Sequence, residues 1–469
     1  MLKRKMFDRL SAWAALPSAS RKALFLTGAR QVGKSYAVRE LGQREFGTYC
    51  EINLLENEPA RRALLDARSA EDFISRVTLF CGIPLVEGDT LVFIDEVQEA
   101  PDIMTMAKFL VEDGRFSWAF SGSMLGTELK GVRSYPVGYV HELTMRPLDF
   151  EEFCWAIGIS DGALETIRTA CVEGRPVEGY LHDAMLANFR TYLVVGGMPE
   201  VVQLFMDTKG DLAVIRAAQS ELDEQYRRDI SKYAGSRALY VREIFDQLPL
   251  QLEGESQRFV LSSIDESARY ERYRHDFVWL VDAGVALKTS LVREPRQSLL
   301  QYERPSNFKL YQSDVGMLMA RYPRAVAQDA YLGNDGVNMG ALYENVVAQE
   351  LVAQELAADG HLHYFMNKKR GEVDFLVEDE AGGVVPIEVK SGRYYRRHAA
   401  LDNLLESEGY GIGRGIVLSR GNVERREGEE GAGDVLYLPH YAVFCLRDVI
   451  NQGGTGDGGA SFQLRTHKV

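Results

Sequence analysis

A short glycine-containing stretch near the N-terminus has the residue types and spacing of a phosphate-binding loop. Residues 28–35 read GARQVGKS, which matches the pattern G-x-x-x-x-G-K-[S/T]. The glycines permit a loop whose backbone N–H groups converge on phosphate oxygens, and the helix that follows adds its positive N-terminal end. The lysine would reach the β- and γ-phosphates, and the serine would bind Mg²⁺. The sequence therefore predicts a site for ATP and Mg²⁺.

The predicted nucleotide contacts come mostly from this loop. We expect the nucleotide to contact Gly28, Ala29, Gln31, Val32, Gly33, Lys34, Ser35 and, from a later strand, Ser121. The loop follows the apolar segment ALFLTG (23–28) and opens a helical pattern, which is the context that the motif requires. Lys34 is also a predicted catalytic residue, since it would offset charge on the transferred phosphoryl group.

An acidic pair supplies the partner element about sixty residues later. Asp95 ends the apolar run LVFIDE and would hold Mg²⁺ together with Ser35. Glu96 would orient or deprotonate the attacking water, so it is a predicted catalytic residue. An Asp-Glu pair after a strand can also be a solvated turn, but its combination with the upstream loop favours the catalytic interpretation.

A further apolar segment, FSWAFSGS (116–123), ends in serines. Ser121 or Ser123 could sense the γ-phosphate, and simple capping of the strand end explains these residues equally well.

A second group of residues suits hydrolytic chemistry on phosphate esters. Asp374, Glu388 and Lys390 have the spacing D-x₁₃-E-x-K, and Glu344 lies on a preceding helical pattern. If VDFLV and VPIEVK form a hairpin that closes near Ala381, Asp374 faces Glu388, and Lys390 shares a face with Glu388. Carboxylate oxygens bind hard cations, so Glu344, Asp374 and Glu388 are predicted Mg²⁺ ligands and Lys390 a predicted catalytic residue. An exposed acidic face with a lysine counter-charge has the same spacing.

Basic and aromatic residues surround this second group. They are Lys368, Lys369, Arg370, Arg393, Tyr394, Tyr395, Arg396 and Arg397. Such a cluster fits a groove for the phosphate backbone of DNA, and a solvated positive face fits it as well.

Bulk properties set the frame for these sites. A chain of 469 residues is too long for one compact core, so we expect several domains. The net charge of -14 argues against a protein that coats nucleic acid. Five widely spaced cysteines predict free thiols in a reducing cytosol. The N-terminal segment reads as an amphipathic helix, and no uncharged run is long enough for a membrane span, so we expect a cytoplasmic protein.

Hydrophobic patterns give the elements that must position these residues. Four apolar segments, 23–28, 46–54, 91–97 and 116–123, predict a parallel sheet with crossover helices. A helical pattern begins at residue 149, and a GGMPE turn interrupts it at 196–200. Residues 337–450 return to alternating helices and strands, and the tail after 451 is rich in glycine.

These segments together resemble the AAA-type ATPases of bacteria and archaea that carry a C-terminal domain of unknown function. The matching pieces follow the family order: LTGARQVGKS, LVFIDEVQ, FSGS, YPVGYVHELTMRPLDFEEF, YLVVGGMPEVV, YRRDISKY, FKLYQSDVGML, GALYENVVAQEL and VDFLV…PIEVKSG. The C-terminal set is similar to the PD-(D/E)XK nuclease motif, with Val373 in place of the proline.

The resemblance implies an α/β multidomain protein. The expected parts are a P-loop AAA-like parallel-sheet core (1–148), a helical lid-like region (149–235), a winged-helix-like module (236–325), a restriction-endonuclease-like α/β domain (326–450) and a flexible glycine-rich tail (451–469). It also implies a homo-oligomer, because such ATPases often take an arginine from a neighbouring subunit. Arg115, Arg133 and Arg146 are candidates, but Tyr139 stands where the related pattern often has a basic residue, so the arginine stays unassigned.

Two functions remain open from the sequence. In the first, ATP state regulates a Mg²⁺-dependent nuclease-like domain that acts on or binds DNA, with the winged helix as a further DNA contact. In the second, the chain is an ATP-switched signalling or scaffold protein, and its last domain is a non-catalytic module that binds DNA or a partner. A small-molecule kinase is a weak third interpretation, because no acceptor motif follows the ATP site.

Overall fold

A computed structural model describes most of the chain. The described residues are 2–123, 136–254, 256–264, 266, 268–334, 339–357, 360–407, 409–428 and 433–452. They form two compact units with interleaved segments. Residues 1–159, 190–288 and 309–337 belong to the first unit, and residues 160–189, 289–308 and 338–469 to the second. The five-part linear division therefore stays a prediction.

A parallel sheet forms the centre of the first unit. Its strands are β1 (Ala23–Thr27), β2 (Thr48–Asn53), β3 (Thr90–Asp95), β4 (Ser117–Gly122) and β5 (Val140–Thr144), in the order β2-β3-β4-β1-β5. Strands β1 and β3 are buried along their whole length, as their apolar sequences predict. The four predicted strands and their parallel pairing are confirmed, whereas the edge strand β5 was not predicted because its VHELT sequence alternates polar and apolar residues.

Helices cover this sheet and extend the first unit. They are α1 (Lys5–Ala14), α2 (Lys34–Glu45), α3 (Glu58–Leu65), α4 (Ala70–Cys81), α5 (Ala107–Asp113), α6 (Phe150–Ala156), α9 (Pro199–Asp207), α10 (Leu212–Tyr233), α11 (Ala238–Leu252), α12 (Tyr270–Asp282), α13 (Val315–Met319) and α14 (Arg324–Leu332). The GGMPE segment (196–200) interrupts the helices as predicted, and its Pro199 and Glu200 already begin α9. No helix in the described ranges is both long enough and apolar enough to cross a bilayer.

A mixed sheet organises the second unit. Its strands are β6 (Ala286–Val292), β7 (Glu303–Gln312), β8 (Leu362–Asn367), β9 (Gly371–Glu378), β10 (Val384–Val389), β11 (Arg414–Ser419), β12 (Glu424–Arg426) and β13 (Asp434–Pro439), in the order β12-β13-β11-β10-β9-β8-β6-β7. The helices are α7 (Asp161–Glu173), α8 (Gly179–Val195), α15 (Gly340–Ala353), α16 (Ala399–Leu405) and α17 (Leu446–Gln452). Helix α8 and strands β6 and β7 contribute residues to both units.

The hairpin expected around Ala381 is present. Strands β9 and β10 are antiparallel, and Ile387 pairs with Phe375. One more step in this register places Glu388 opposite Asp374. Strand β11 runs parallel to β10, after the intervening helix α16.

Two cysteines depart from the expected free thiols. Cys50 on β2 and Cys81 at the end of α4 form a disulfide with a Cα–Cα distance of 5.7 Å. The prediction was wrong for this pair because the packing of α4 on β2 joins residues that are 31 positions apart. Cys154, Cys171 and Cys445 are buried thiols.

A close backbone crossing in the first unit explains two of the glycine-containing segments. The Asp314 carboxylate accepts backbone N–H bonds from Gly197 at 2.6 Å and from Met317 at 3.0 Å. A Cβ at Gly197 would lie 2.0 Å from the Leu148 carbonyl oxygen. The glycines of the GGMPE turn and of the SDVG segment therefore have no room for a side chain.

Replacement of this glycine tests the crossing. We expect Gly197→Ala to lower the free energy of unfolding by about 2–4 kcal/mol, since backbone atoms must move to admit the methyl group. Gly162→Ala is the matched control, because a Cβ there meets no atom within 4 Å and the residue lies in α7. It should be neutral or stabilising by up to about 1 kcal/mol. Equal denaturant midpoints for the two variants would contradict the proposed crowding.

Candidate functional site

The phosphate-binding loop joins β1 to α2 and has the backbone conformations that its glycines allow. Gly28 has φ +140°, and a Cβ there would lie 2.1 Å from the Met145 carbonyl oxygen. Gly33 has φ +97° and forms the left-handed cap that opens α2. Glycine is required at both positions, by space at the first and by backbone conformation at both. The loop thus directs the N-terminus of α2 towards the predicted phosphate position.

Lys34 is buried within the loop that it follows. Its Nζ donates to the carbonyl oxygens of Gly28 at 3.0 Å and Ala29 at 2.8 Å. Burial lowers the pKa of Lys34 to about 8, although the charges of Glu96 and Asp95 oppose this shift. The ammonium group is therefore held at the loop, and incoming phosphate oxygens would replace the two carbonyl acceptors.

The carboxylate of Asp95 gathers polar groups from three elements. It accepts from Ser35 Oγ at 2.8 Å, from Asn53 Nδ2 at 3.2 Å, and from Ser121 Oγ. Burial raises the pKa of Asp95, and the hydrogen bonds from Ser121 and Ser35 oppose that shift. The predicted Mg²⁺ residues Ser35 and Asp95 are thus in direct contact, and this hydroxyl–carboxylate pair fits a hard cation.

Glu96 begins the turn that follows β3. Its backbone has φ 58°, in the left-handed region, and its carboxylate accepts a hydrogen bond from the buried Gln98 amide. Strained backbone of this kind is often found at functional sites. The structure therefore fixes the position of the predicted catalytic carboxylate, and Gln98 is a polar contact that the sequence did not reveal.

The remaining predicted nucleotide contacts lie along the same loop. Gln31 has φ 64° and its side-chain amide donates to Gln225. Val32 is buried, and its carbonyl oxygen accepts from Arg4 at 3.3 Å. Asn53 was missed, although a polar residue at the end of a predicted strand next to Asp95 is a signal that could have found it.

The three arginine candidates have different outcomes. Arg115 forms ion pairs with Asp113 at 2.8 Å and with Glu71 at 2.5 Å, and it precedes β4, at the end opposite to the phosphate loop. The backbone carbonyl of Arg146 accepts a hydrogen bond from Arg4. Arg133 lies outside the described residues. No arginine is assigned to the phosphate site from these contacts.

The second predicted group lies at one end of the β9–β10 hairpin. Lys390 Nζ contacts Glu388 Oε1 at 2.6 Å, and Asp374 Oδ2 accepts from the Val389 N–H at 2.8 Å. Burial lowers the pKa of Lys390, but the charges of Glu388, Asp374 and Glu344 outweigh it, so the pKa is raised overall. Glu388, Asp374 and Glu344 therefore all lie within electrostatic reach of Lys390.

This group is not a ready-made metal centre. Across the described residues, no set of three or more His, Cys, Asp or Glu side chains is arranged to hold a metal ion. The Glu388 carboxylate is instead engaged by Lys390. The donor types suit Mg²⁺, but the arrangement does not fit the ion without a change in these contacts, so we derive no chemical step through it.

A buried histidine supports the end of β10. His440 Nε2 lies 3.0 Å from the Lys390 carbonyl oxygen, and its ring centroid lies 4.2 Å from that of Tyr343. Burial lowers the pKa of His440 to about 3, so the ring is neutral and Nε2–H donates to the carbonyl. Tyr343 directly precedes Glu344, so one tilted aromatic pair lies beside both Glu344 and Lys390. No periodic pattern in the sequence predicts this contact.

The basic segments flank the second group. Lys368, Lys369 and Arg370 form the turn before β9, and Arg393, Arg396 and Arg397 follow β10. All of them except Arg370 are exposed. The first turn packs near the start of α16, because a Cβ at Gly371 would lie 2.8 Å from Ala400 Cβ. Arg396 is partly neutralised by Glu424 at 2.5 Å.

Family models match three separate parts of the chain. Residues 20–154 match an AAA domain, residues 186–326 match the domain of unknown function DUF8612, and residues 339–441 match the domain of unknown function DUF4143. The first match agrees with the parallel sheet and the phosphate loop, so residues 20–154 are similar to an AAA domain in sequence and in architecture. Comparison with curated proteins gives no match.

Several solved structures are weakly similar to the chain. The Walker-type ATPase PABY2304 of Pyrococcus abyssi is 13% identical over 68% of this chain and 95% of its own, with a TM-score of 0.42. Cdc6p from Pyrobaculum aerophilum is 12% identical over 71% of this chain and 95% of its own, with a TM-score of 0.26. AMPPCP-bound DnaA from Aquifex aeolicus is 13% identical over 59% of this chain and 86% of its own, with a TM-score of 0.26. Because these TM-scores are low, we infer neither activity nor partners from them.

The lowered pKa of Lys34 predicts proton uptake on nucleotide binding. In the nucleotide-free protein, Lys34 loses its proton above about pH 8. Bound phosphates favour the ammonium form and raise the pKa of Lys34. Calorimetry of ADP binding at pH 9 in buffers of different ionisation enthalpy should show uptake approaching one proton. The affinity should fall by up to about tenfold per pH unit above this pKa.

Lys34→Arg is the control for this experiment, because arginine stays protonated throughout this pH range. This variant should bind ADP without the extra proton. Equal uptake by the wild type and Lys34→Arg at pH 9 would show that the proton does not enter at Lys34.

Proposed function

We propose that the chain is a Mg²⁺-dependent ATPase of the AAA type whose nucleotide state regulates a nuclease-like C-terminal domain that acts on or binds DNA. The observation that carries the ATPase part is the convergence of Ser35, Asn53 and Ser121 on the Asp95 carboxylate, next to the phosphate loop. This polar cluster contains Asp95 as the expected metal ligand, Ser121 as the expected γ-phosphate sensor and Ser35 from the phosphate loop.

The residues of the first site have distinct roles in this proposal. Backbone N–H groups of residues 28–35 and the N-terminus of α2 bind the phosphates, and Lys34 neutralises their charge. Ser35 and Asp95 would hold Mg²⁺, which would stabilise negative charge on the β- and γ-phosphates. Glu96 orients the attacking water and accepts its proton. Ser121 donates to the Asp95 carboxylate and would sense the γ-phosphate.

The second unit supports the nuclease-like part through its order of elements and its charges. Helix α15, strands β8, β9 and β10, helix α16 and strand β11 follow one another, and this order is the one expected of a restriction-endonuclease-like domain. Asp374, Glu388 and Lys390 lie at one end of the central hairpin, with exposed basic segments beside them. These features favour contact with a phosphate backbone.

The proposed regulation of the C-terminal domain by nucleotide rests on elements that are shared between the two units. Helix α8 and strands β6 and β7 each supply residues to both units. A change in the first unit would therefore act on elements that continue into the second. We further propose a cytoplasmic homo-oligomer, in which a neighbouring subunit supplies the unassigned arginine, and a winged-helix-like role for residues 236–325.

One observation favours the second candidate function, a non-catalytic binding module. Lys390 already neutralises Glu388, and the described residues lack a ready metal-ligand cluster. In that case the basic segments would bind DNA or a partner, and ATP would switch the assembly of the protein. Cleavage and binding assays on the same DNA separate the two candidates.

Two substitutions test the ATPase part. Glu96→Gln should retain ATP affinity and lower kcat by roughly 100-fold or more, because the water loses its base. Lys34→Ala should abolish detectable nucleotide binding, because the phosphate charge is no longer offset. Lys108→Ala, at an exposed lysine of α5, should match the wild type in binding and phosphate-release assays. The ATPase proposal fails if Glu96→Gln hydrolyses ATP at the wild-type rate.

The nuclease-like part is tested on supercoiled and linear DNA with Mg²⁺ or Mn²⁺, each with no nucleotide, ATP or ADP. The catalytic candidate predicts cleavage that depends on the nucleotide state and is lost in Lys390→Ala and Asp374→Ala. Equal cleavage by these variants would indicate a contaminating nuclease and overturn the assignment. DNA binding without cleavage, weakened when Lys368 and Lys369 are replaced by Ala, would instead establish the binding module.

A further inference from the structure

One helix of the first unit contacts the phosphate loop from outside the AAA domain match. Helix α10 (Leu212–Tyr233) places Asp229 against Arg30, with Oδ1 and Nη1 2.6 Å apart. The Tyr226 hydroxyl donates to the Arg30 carbonyl oxygen at 3.4 Å, and the Gln225 side chain accepts from Gln31. These contacts join α10 to residues whose neighbours bind the phosphates.

The end of the same helix contacts the turn that follows Glu96. Glu99 Oε1 accepts from Lys232 Nζ at 2.8 Å and from the Tyr233 hydroxyl at 2.6 Å. Lys232 Nζ also donates to the Tyr233 oxygen at 2.6 Å, so the three side chains form a closed triangle. Arg61 approaches the other carboxylate oxygen of Glu99 at 3.5 Å.

The Glu99 side chain is held more firmly than an exposed surface pair would be. Only 11% of it is exposed. Burial alone would raise the pKa of Glu99, but the hydrogen bonds from Lys232 and Tyr233 outweigh it and lower the pKa. Burial also raises the pKa of Tyr233 to about 12, with the carboxylate contributing. The triangle is therefore a carboxylate, an ammonium group and a neutral phenol at neutral pH.

A short path leads from this triangle to the catalytic carboxylate. The Glu99 N–H donates to the Glu96 carbonyl oxygen at 3.0 Å and closes the turn 96–99. The same turn carries Gln98, whose amide donates to the Glu96 carboxylate. Glu96 has left-handed backbone, so its side-chain direction depends on how this turn is held.

We infer that Glu99, Lys232 and Tyr233 are positioning residues for Glu96, and that α10 thereby sets the rate of hydrolysis while its Asp229 contact supports the phosphate loop. This inference rests on the proposed ATPase function. It gives the YRRDISKY segment a role in the reaction. Displacement of α10 would loosen the turn and misplace the water that Glu96 orients, without removal of any group that touches the nucleotide.

Steady-state and binding measurements on the full chain test the inference. Glu99→Gln and Lys232→Met should lower kcat by about tenfold or more, and Tyr233→Phe by a smaller factor, because small displacements of a catalytic group have large effects on rate. The affinity for ADP should change by less than about twofold, because none of these side chains touches the nucleotide in the proposed site. Glu221→Gln, at an exposed position of α10, and Tyr180→Phe, at a tyrosine with 75% exposure, are matched controls and should behave as the wild type.

A double substitution separates positioning from a general loss of structure. In a Glu96→Gln background, single-turnover hydrolysis should not slow further when Glu99→Gln is added, because the group that Glu99 positions is already absent. A further tenfold loss would show that Glu99 acts independently of Glu96 and would overturn the inference. Unchanged ADP affinity in all variants verifies that the site remains folded.

The outcomes also separate this inference from the proposed function. If the wild type neither binds nor hydrolyses ATP, the proposed function itself fails. If the wild type hydrolyses ATP and Glu99→Gln has the same kcat as Glu221→Gln, the ATPase assignment stands and the positioning role of α10 is wrong.

Discussion

The buried carboxylate of Asp95 is the interaction on which the first site depends. A buried carboxylate is costly unless donors surround it, and its donors here come from α2, β2, β4 and the backbone of the next residue. The register places Asn53 beside Asp95, and Ile94 beside Phe120. The same electrostatic requirement therefore fixes the ends of three adjacent strands and the first turn of the phosphate-loop helix.

The two sites place their lysines in opposite electrostatic states. Burial lowers the pKa of Lys34, and the nearby carboxylates only partly offset it. Lys390 is also partly buried, yet Glu388, Asp374 and Glu344 raise its pKa above the usual value. Bound phosphate would therefore stabilise the charged form of Lys34, whereas the charged form of Lys390 is already stabilised by neighbouring carboxylates. A cation that entered the second site would compete with this lysine for the same carboxylates.

Local patterns predicted the parts of both sites that are close in sequence. The phosphate loop and the β9–β10 hairpin follow from motif spacing and alternation, because a turn of few residues brings the members of each together. Asp95 is 60 residues from Ser35, and it was predicted because parallel strands place their carboxyl ends at one edge of the sheet. The contacts missing from the sequence-based predictions are distant ones. Asp229 lies 199 residues from Arg30, and Lys232 lies 133 residues from Glu99. No periodicity encodes which face of α10 meets the loop, and the disulfide of Cys50 was missed for the same reason.

The segments that carry no reactive group have their own physical explanation. Gly196 and Gly197 lie against Asp314 and Leu148, where a Cβ would come within 2.3 Å and 2.0 Å of an oxygen atom. Their role is to let a turn approach a buried carboxylate, because backbone N–H groups can satisfy that charge only at short range. Helix α10 is attached next to this crossing, because the Gln219 side-chain amide donates to the carbonyl oxygens of Val194 and Val195. Gly196 and Gly197 therefore matter for the first site although they lie outside it. They help to hold α10, and α10 contacts the turn that carries Glu96.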